Sequence, residues 1–136
     1  MKELVEIQAN LKAPKNQRNN FGKYNYRSCE DILEGLKPLL LSHGCSVVLT
    51  DKVEEVANII VIKATATITN KEGVQISVDA YAGVDPNKKG MDIAQTFGSS
   101  SSYARKYALN GLFAIDDTKD ADTQDNTPST KASGKS

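Results

Sequence analysis

Residues 58–82 constrain the fold of this chain more than any other part of it. Ile60, Ile62, Ala64, Ala66 and Ile68 alternate with Val61, Lys63, Thr65, Thr67 and Thr69. That period of two gives a strand one face for the core and one for solvent. Asn70-Lys71-Glu72-Gly73 supplies a tight reversal, and Val74, Ile76, Val78, Ala80 and Ala82 resume the alternation on the return. A short β-branched run at residues 46–50 precedes this hairpin. A small ribbon with one apolar face is marginal alone, so helices must cover it.

Helical spacing brackets the ribbon on both sides. Leu4, Ile7 and Leu11 predict a short helix over residues 2–12, stopped before Pro14. Ser28-Cys29-Glu30-Asp31 reads as a capping box opening a second helix, with Ile32, Leu33, Leu36 and Leu40 on one face and Gly44 as the stop. Pro38 inside that pattern is expected to kink or split it. A long helix is expected over residues 91–110, turning Ile93, Phe97, Ala104 and Ala108 inward, with Leu112, Phe113 and Ile115 closing the core. Residues 13–27 show no periodicity and read as a loop. The order helix–helix–β–β–β–helix defines an α+β fold: a three-stranded antiparallel β-meander packed against helices, with a long C-terminal helix.

A chain of 136 residues holds one domain with a real core, placed at residues 1–122, and the polar stretch 123–136 is expected to be a disordered tail. No run approaches the ~20 apolar residues of a membrane helix. The N-terminus lacks a signal-peptide apolar region, which predicts a cytoplasmic protein. Cys29 and Cys45 have no metal-ligand spacing with the single His43, and they read as buried structural thiols.

Net charge is zero, yet the charges are segregated. Residues 1–27 carry six Lys/Arg against Glu3 and Glu6, whereas residues 116–125 carry five Asp against Lys119. A basic front and an acidic tail cancel in the sum but not in space.

Two constellations carry chemistry. Lys15, Arg18, Lys23 and Arg27 interleave with Phe21, Tyr24 and Tyr26, which suits a basic funnel with stacking platforms for a single nucleic-acid strand. The alternative is a solvated loop whose aromatics dock on the core. Further on, Tyr103, Arg105, Lys106 and Tyr107 fall within about one helical turn, after the small-residue block Gly98-Ser99-Ser100-Ser101-Ser102. Tyr103 and Tyr107 share a face, and Arg105 and Lys106 are expected to project from the opposite one. Consecutive serines are poor helix formers unless something close needs the space: a sheet, a neighbouring subunit or a phosphate backbone. Lys88 and Lys89, in the loop before this helix, supplement the cations.

Other chemistries fit poorly. The Asp116, Asp117, Asp120 and Asp122 run lacks the glycine and terminal glutamate of a calcium loop, and it does not sit on rigid elements as two-metal nucleases require. Gly134-Lys135-Ser136 mimics the end of a P-loop, but Ser129 stands where the first glycine belongs. One histidine and two distant cysteines assemble no nucleophilic triad. No catalytic centre, metal or cofactor is expected.

Residues 15–40, the strand IIVIKATATIT and above all residues 90–122 closely resemble the Erf (essential recombination function) family, single-strand annealing proteins of phages and prophages. The most specific run is G-S-x-x-S-Y-A-R-K-Y-A-L, here Gly98 to Leu109. The resemblance implies ATP-independent annealing of complementary strands in phage homologous recombination, by a homo-oligomeric ring or filament that lays single-stranded DNA in a basic groove. A single-strand-binding protein is a further implied partner. On this reading Lys15, Arg18, Lys23, Arg27, Arg105 and Lys106 grip phosphates, and Arg105→Ala with Lys106→Ala abolishes binding while leaving the fold intact. An RNA-binding or structural oligomeric module without annealing activity is the alternative.

Overall fold

The computed structural model describes residues 1–87 and 90–116. The tail expected at residues 123–136 and the end of the 1–122 domain lie outside these, as do Lys88, Lys89, Asp117, Asp120 and Asp122. The chain runs α1 (Lys2–Asn10), β1 (Gln17–Asn19), β2 (Tyr24–Tyr26), α2 (Cys29–His43), β3 (Ser46–Val56), β4 (Ile59–Thr69), β5 (Gln75–Val84) and α3 (Ile93–Phe113). The expected α+β meander is present, with β4 central and antiparallel to both β3 and β5.

The alternation in β4 does what its period dictates. Ile62, Ala64, Ala66 and Ile68 are buried, and their register partners Ala82, Ala80, Val78 and Ile76 in β5 share that inner face. The turn between the two strands is organised by Asn70, whose side-chain oxygen accepts from the Glu72 and Val74 amides, with Gly73 at φ 83°. Helix α3 lies across β4 and β5. Its buried row steps in fours through Thr96, Ser100, Ala104, Ala108 and Leu112, an i±4 ridge laid on the sheet. Extending that row backwards reaches Asp92, the N-cap, so Ile93 falls off it and is 53% exposed rather than inward.

Leu4 and Ile7 of α1, Ile32 and Leu36 of α2, and Leu109, Leu112 and Phe113 of α3 complete one core with the sheet. The predicted capping box of α2 forms: the Asp31 amide donates to Ser28 Oγ at 3.1 Å, and the Ser28 amide donates to Asp31 Oδ2 at 2.8 Å. Pro38 does not split α2, which runs unbroken to His43. Pro38 and Glu34 are both exposed, so the Glu34 carbonyl that loses its amide partner faces water.

Three further departures have local causes. Residues 13–27 contain a small antiparallel hairpin, β1–β2, in which Asn19 pairs with Tyr24. Strand β3 extends six residues beyond the expected stop at Thr50, and meets β4 through a two-residue turn with Ala57 and Asn58 at φ 52° and 66°. Cys29 and Cys45 are free thiols, half-buried rather than buried.

Candidate nucleic-acid interface

The hairpin β1–β2 and helix α3 meet through Tyr26 and Lys106. The Lys106 ammonium sits 5.5 Å from the Tyr26 ring centroid, a cation–π distance. Lys106 is only 8% exposed, so it does not project to solvent as the helix spacing predicted. Tyr24 lies 6.0 Å from Tyr26, ring to ring, and its hydroxyl accepts from Asn19 Nδ2 at 3.0 Å. The aromatics Tyr24 and Tyr26 therefore dock, as the structural alternative for this segment required. Phe21, at the hairpin tip, is 99% exposed.

The cations of this segment divide into two groups. Arg18 and Lys23 are exposed on the hairpin. Arg18 donates to Asn20 Oδ1 at 3.3 Å and to Asn25 Oδ1 at 3.5 Å, which orients the guanidinium without neutralising it. Lys15 is half-buried. Arg27 is committed to the backbone: Nε donates to the Ala13 carbonyl at 2.7 Å and Nη1 to the Asp116 carbonyl at 2.5 Å. It clasps the segment before the hairpin to the residues that follow α3, so its first role is architectural.

Helix α3 divides its residues in the same way. Tyr103 and Tyr107, four apart, stack at 6.3 Å between centroids and 25° between planes, and both are exposed. Arg105 turns to the sheet instead of solvent. Its Nε donates to Asp51 Oδ1 at 3.0 Å and its Nη2 to Asp51 Oδ2 at 3.1 Å, while Ser101 Oγ donates to the same carboxylate. Two consequences correct the sequence reading. Arg105 is a bidentate partner of a strand carboxylate, and Lys106 is packed under Tyr26. Replacing both with alanine removes contacts between elements, so that variant is not fold-neutral.

The small-residue block is also explained. Ser100 Oγ donates to the Gly83 carbonyl at 2.8 Å, and Ser101 serves Asp51. Farther along α3, a Cβ on Gly111 would meet Val78 Cγ1 at 3.0 Å. Most of the space is thus taken by the protein's own sheet. Gly98 faces open space, and Ser99 and Ser102, with Tyr26, Cys29, Tyr103 and Lys106, line a cleft of about 280 Å³ between α3 and the start of α2, with Arg27 at its side. Burial holds the Cys29 thiol up, despite the opposing pull of Arg105 and Lys106. The cleft wall there is a neutral thiol, not a nucleophilic thiolate. A second depression, lined by Gly83, Asp85, Met91, Ser99 and Tyr103 among others, adjoins it at Ser99 and Tyr103.

Burial alone would raise the Asp51 carboxyl, but the hydrogen bonds from Arg105 and Ser101 outweigh it and hold it below the usual value. A depressed folded-state pKa stabilises the protein above the unfolded value of about 3.9 and loses that contribution as pH falls through the lower folded value. Thermal unfolding followed against pH is therefore expected to show an acid limb below about pH 4, shared with the likewise lowered Glu3 and Asp31, that Asp51→Asn makes shallower. An unchanged acid limb in the variant would place the titration elsewhere.

Among the described residues no group of three or more His, Cys, Asp or Glu could hold a metal ion, and no helix is long and apolar enough to cross a membrane. Lys88, Lys89 and all of the acidic run but Asp116 lie outside the described residues. Sequence reasoning missed Asp51, whose partner Arg105 lies 54 residues away, and it missed Cys29 and Ser28 as walls of the cleft.

The hairpin, the small-residue helix and the β-meander define an α+β domain, and the sequence gives its class: the chain belongs to the ERF superfamily, whose family model matches residues 1–136. Among its relatives is the essential recombination function protein of Salmonella phage P22, 58% identical over 122 residues. That match covers 90% of this chain but 58% of the relative, so the chain spans little more than half the relative's length.

Proposed function

We propose that this protein binds single-stranded DNA and anneals complementary strands without ATP, in phage homologous recombination. The observation that carries the reading is the meeting of tyrosines and cations from two distant segments, the hairpin and α3, around one cleft in an ERF-superfamily chain. Exposed aromatic faces at Phe21, Tyr103 and Tyr107 offer sequence-tolerant stacking. Arg18 and Lys23, exposed on the hairpin that carries Phe21, offer phosphate contacts, with Lys15, Lys88 and Lys89 in support. Neutralising strand charge removes the repulsion between two complementary strands, and base pairing then supplies the free energy.

One subunit covers few nucleotides, so the reading includes a homo-oligomer, as a ring or filament. Helix α3 spends Ser100 and Ser101 on its own sheet. Subunit contact is therefore assigned to the outer edges of β3 and β5, unpaired among the described residues, and to the exposed apolar residues Val48, Val56, Ile59 and Tyr81. Cooperation with a single-strand-binding protein and action in the host cytoplasm belong to the same proposal.

Binding is expected to be salt-sensitive. Each phosphate contact on a single strand contributes about 0.7 to the slope of log affinity against log salt. Arg18→Ala with Lys23→Ala is expected to shallow that slope by about 1.4, measured by fluorescence anisotropy with labelled oligodeoxythymidylate. An unaltered slope would remove these two residues from the DNA path. Duplex DNA and RNA run as competitors test strand and sugar preference; RNA displacing DNA would favour an RNA-binding module.

A further inference from the structure

We infer that the cleft between α3 and the start of α2 is a subsite for one unpaired nucleobase, with Tyr103 as its stacking wall and Lys106 beside it. The inference rests on the single-strand reading above and adds what the strand does there: one base leaves the stack and enters the protein.

Three features of the cleft point to a base rather than to a bare phosphate. Its lining is largely apolar, built from the rings of Tyr26 and Tyr103 and the neutral Cys29 thiol. A phosphate would lose its hydration against that surface, with Lys106 packed on the Tyr26 ring and Arg27 already donating to the Ala13 and Asp116 carbonyls. A flat ring loses little on entry and gains contact with a flat wall. Tyr103 is 54% exposed and held parallel to Tyr107, so its face at the mouth is already oriented.

Room for the ring comes from Ser99 and Ser102, which put nothing larger than a hydroxymethyl group on that stretch of α3. Ser100 and Ser101 are occupied with the sheet, so only these two serines remain to be explained by a ligand. Lys106 lines the same cleft while almost wholly buried, its ammonium over the Tyr26 ring. A mostly apolar slot with an aromatic wall and a cation beside it suits a planar, polarisable ring, which describes a nucleobase.

The consequence for annealing is selectivity for unpaired strands. Extruding a base from a duplex breaks its pairing as well as its stacking, whereas an unpaired base gives up only its stacking. A base held in the cleft is also withheld from pairing, so it must leave as the complementary strand arrives.

The test compares oligodeoxythymidylate with an abasic deoxyribose-phosphate polymer of equal length, using the full chain and fluorescence anisotropy. Wild-type protein is expected to hold the base-bearing polymer well above the abasic one. Ser102→Leu fills the cleft from an exposed helix position with a strong helix former. It and Tyr103→Ala are each expected to weaken thymidylate binding about tenfold and leave abasic binding unchanged. Tyr103→Phe, which keeps the ring, is expected to restore the wild-type difference. Equal affinity of the wild type for both polymers, or equal loss on both in the variants, overturns the subsite and leaves the single-strand reading standing. A wild type that binds neither polymer overturns both.

Discussion

Phe113→Ala is expected to cost about 3–5 kcal/mol of stability, the largest effect of any single truncation considered for this protein. Phe113 is among the largest fully buried side chains and sits in the last turn of α3, packed in the core that joins that helix to α1, α2 and the sheet. Small domains are stable by only about 5–15 kcal/mol in total, so the variant is left marginal. The neighbourhood can collapse only partly into the space. Leu112 precedes it in the core, and Gln8 Nε2 donates to the Leu112 carbonyl at 2.8 Å, tying the turn to α1. Urea unfolding of wild type and variant measures the difference directly. A loss below about 0.5 kcal/mol, the usual size for a surface change, would mean that the end of α3 is not part of the core.

The second large effect belongs to Tyr26. Tyr26→Ala removes the ring over a nearly buried ammonium and the contact by which the hairpin rests on α3. A desolvated cation–π pair is worth about 2 kcal/mol, and stability is expected to fall by about that amount. Single-strand affinity is expected to fall about tenfold as well, because the hairpin loses its seat and the cleft loses one wall. Tyr26→Phe keeps the ring and is expected to retain both properties. If Tyr26→Ala changes neither melting nor DNA affinity, the hairpin and α3 do not act as one surface.

How much of this was legible depended on whether the signal was local. The β4–β5 hairpin was, because its alternation and the Asn70–Gly73 turn are encoded within a few residues. The capping box at Ser28 was, for the same reason. Strand β3 was legible only in its first half, since Asp51, Lys52, Glu54 and Glu55 break the apolar pattern. Those charges suit an edge strand, where they restrict which chains can pair with it, and the Ala57-Asn58 turn carries no glycine to announce itself. The β1–β2 hairpin was illegible for a different reason. Its strands are three residues each, and it is held by side-chain contacts such as the Gly22 amide donating to Asn19 Oδ1 at 2.9 Å.

The site divides along the same line. Spacing placed Tyr103 and Tyr107 together, and they stack. Spacing also assigned Arg105 and Lys106 to solvent, where local pattern has no authority. Asp51 claims one across 54 residues, and Tyr26, from the hairpin, covers the other. Charge in a sequence reports that a cation exists; only the fold reports whether it already has a partner.

The central claim is that this chain brings complementary strands together with its own surface and no nucleotide fuel. It is tested most directly by mixing two complementary oligonucleotides, one carrying a donor dye and the other an acceptor, and following energy transfer with and without the protein in ATP-free buffer. The account predicts faster annealing with the protein, declining as salt rises from about 50 to 200 mM. Annealing no faster than in protein-free buffer at low salt, or acceleration only when ATP is added, would contradict it.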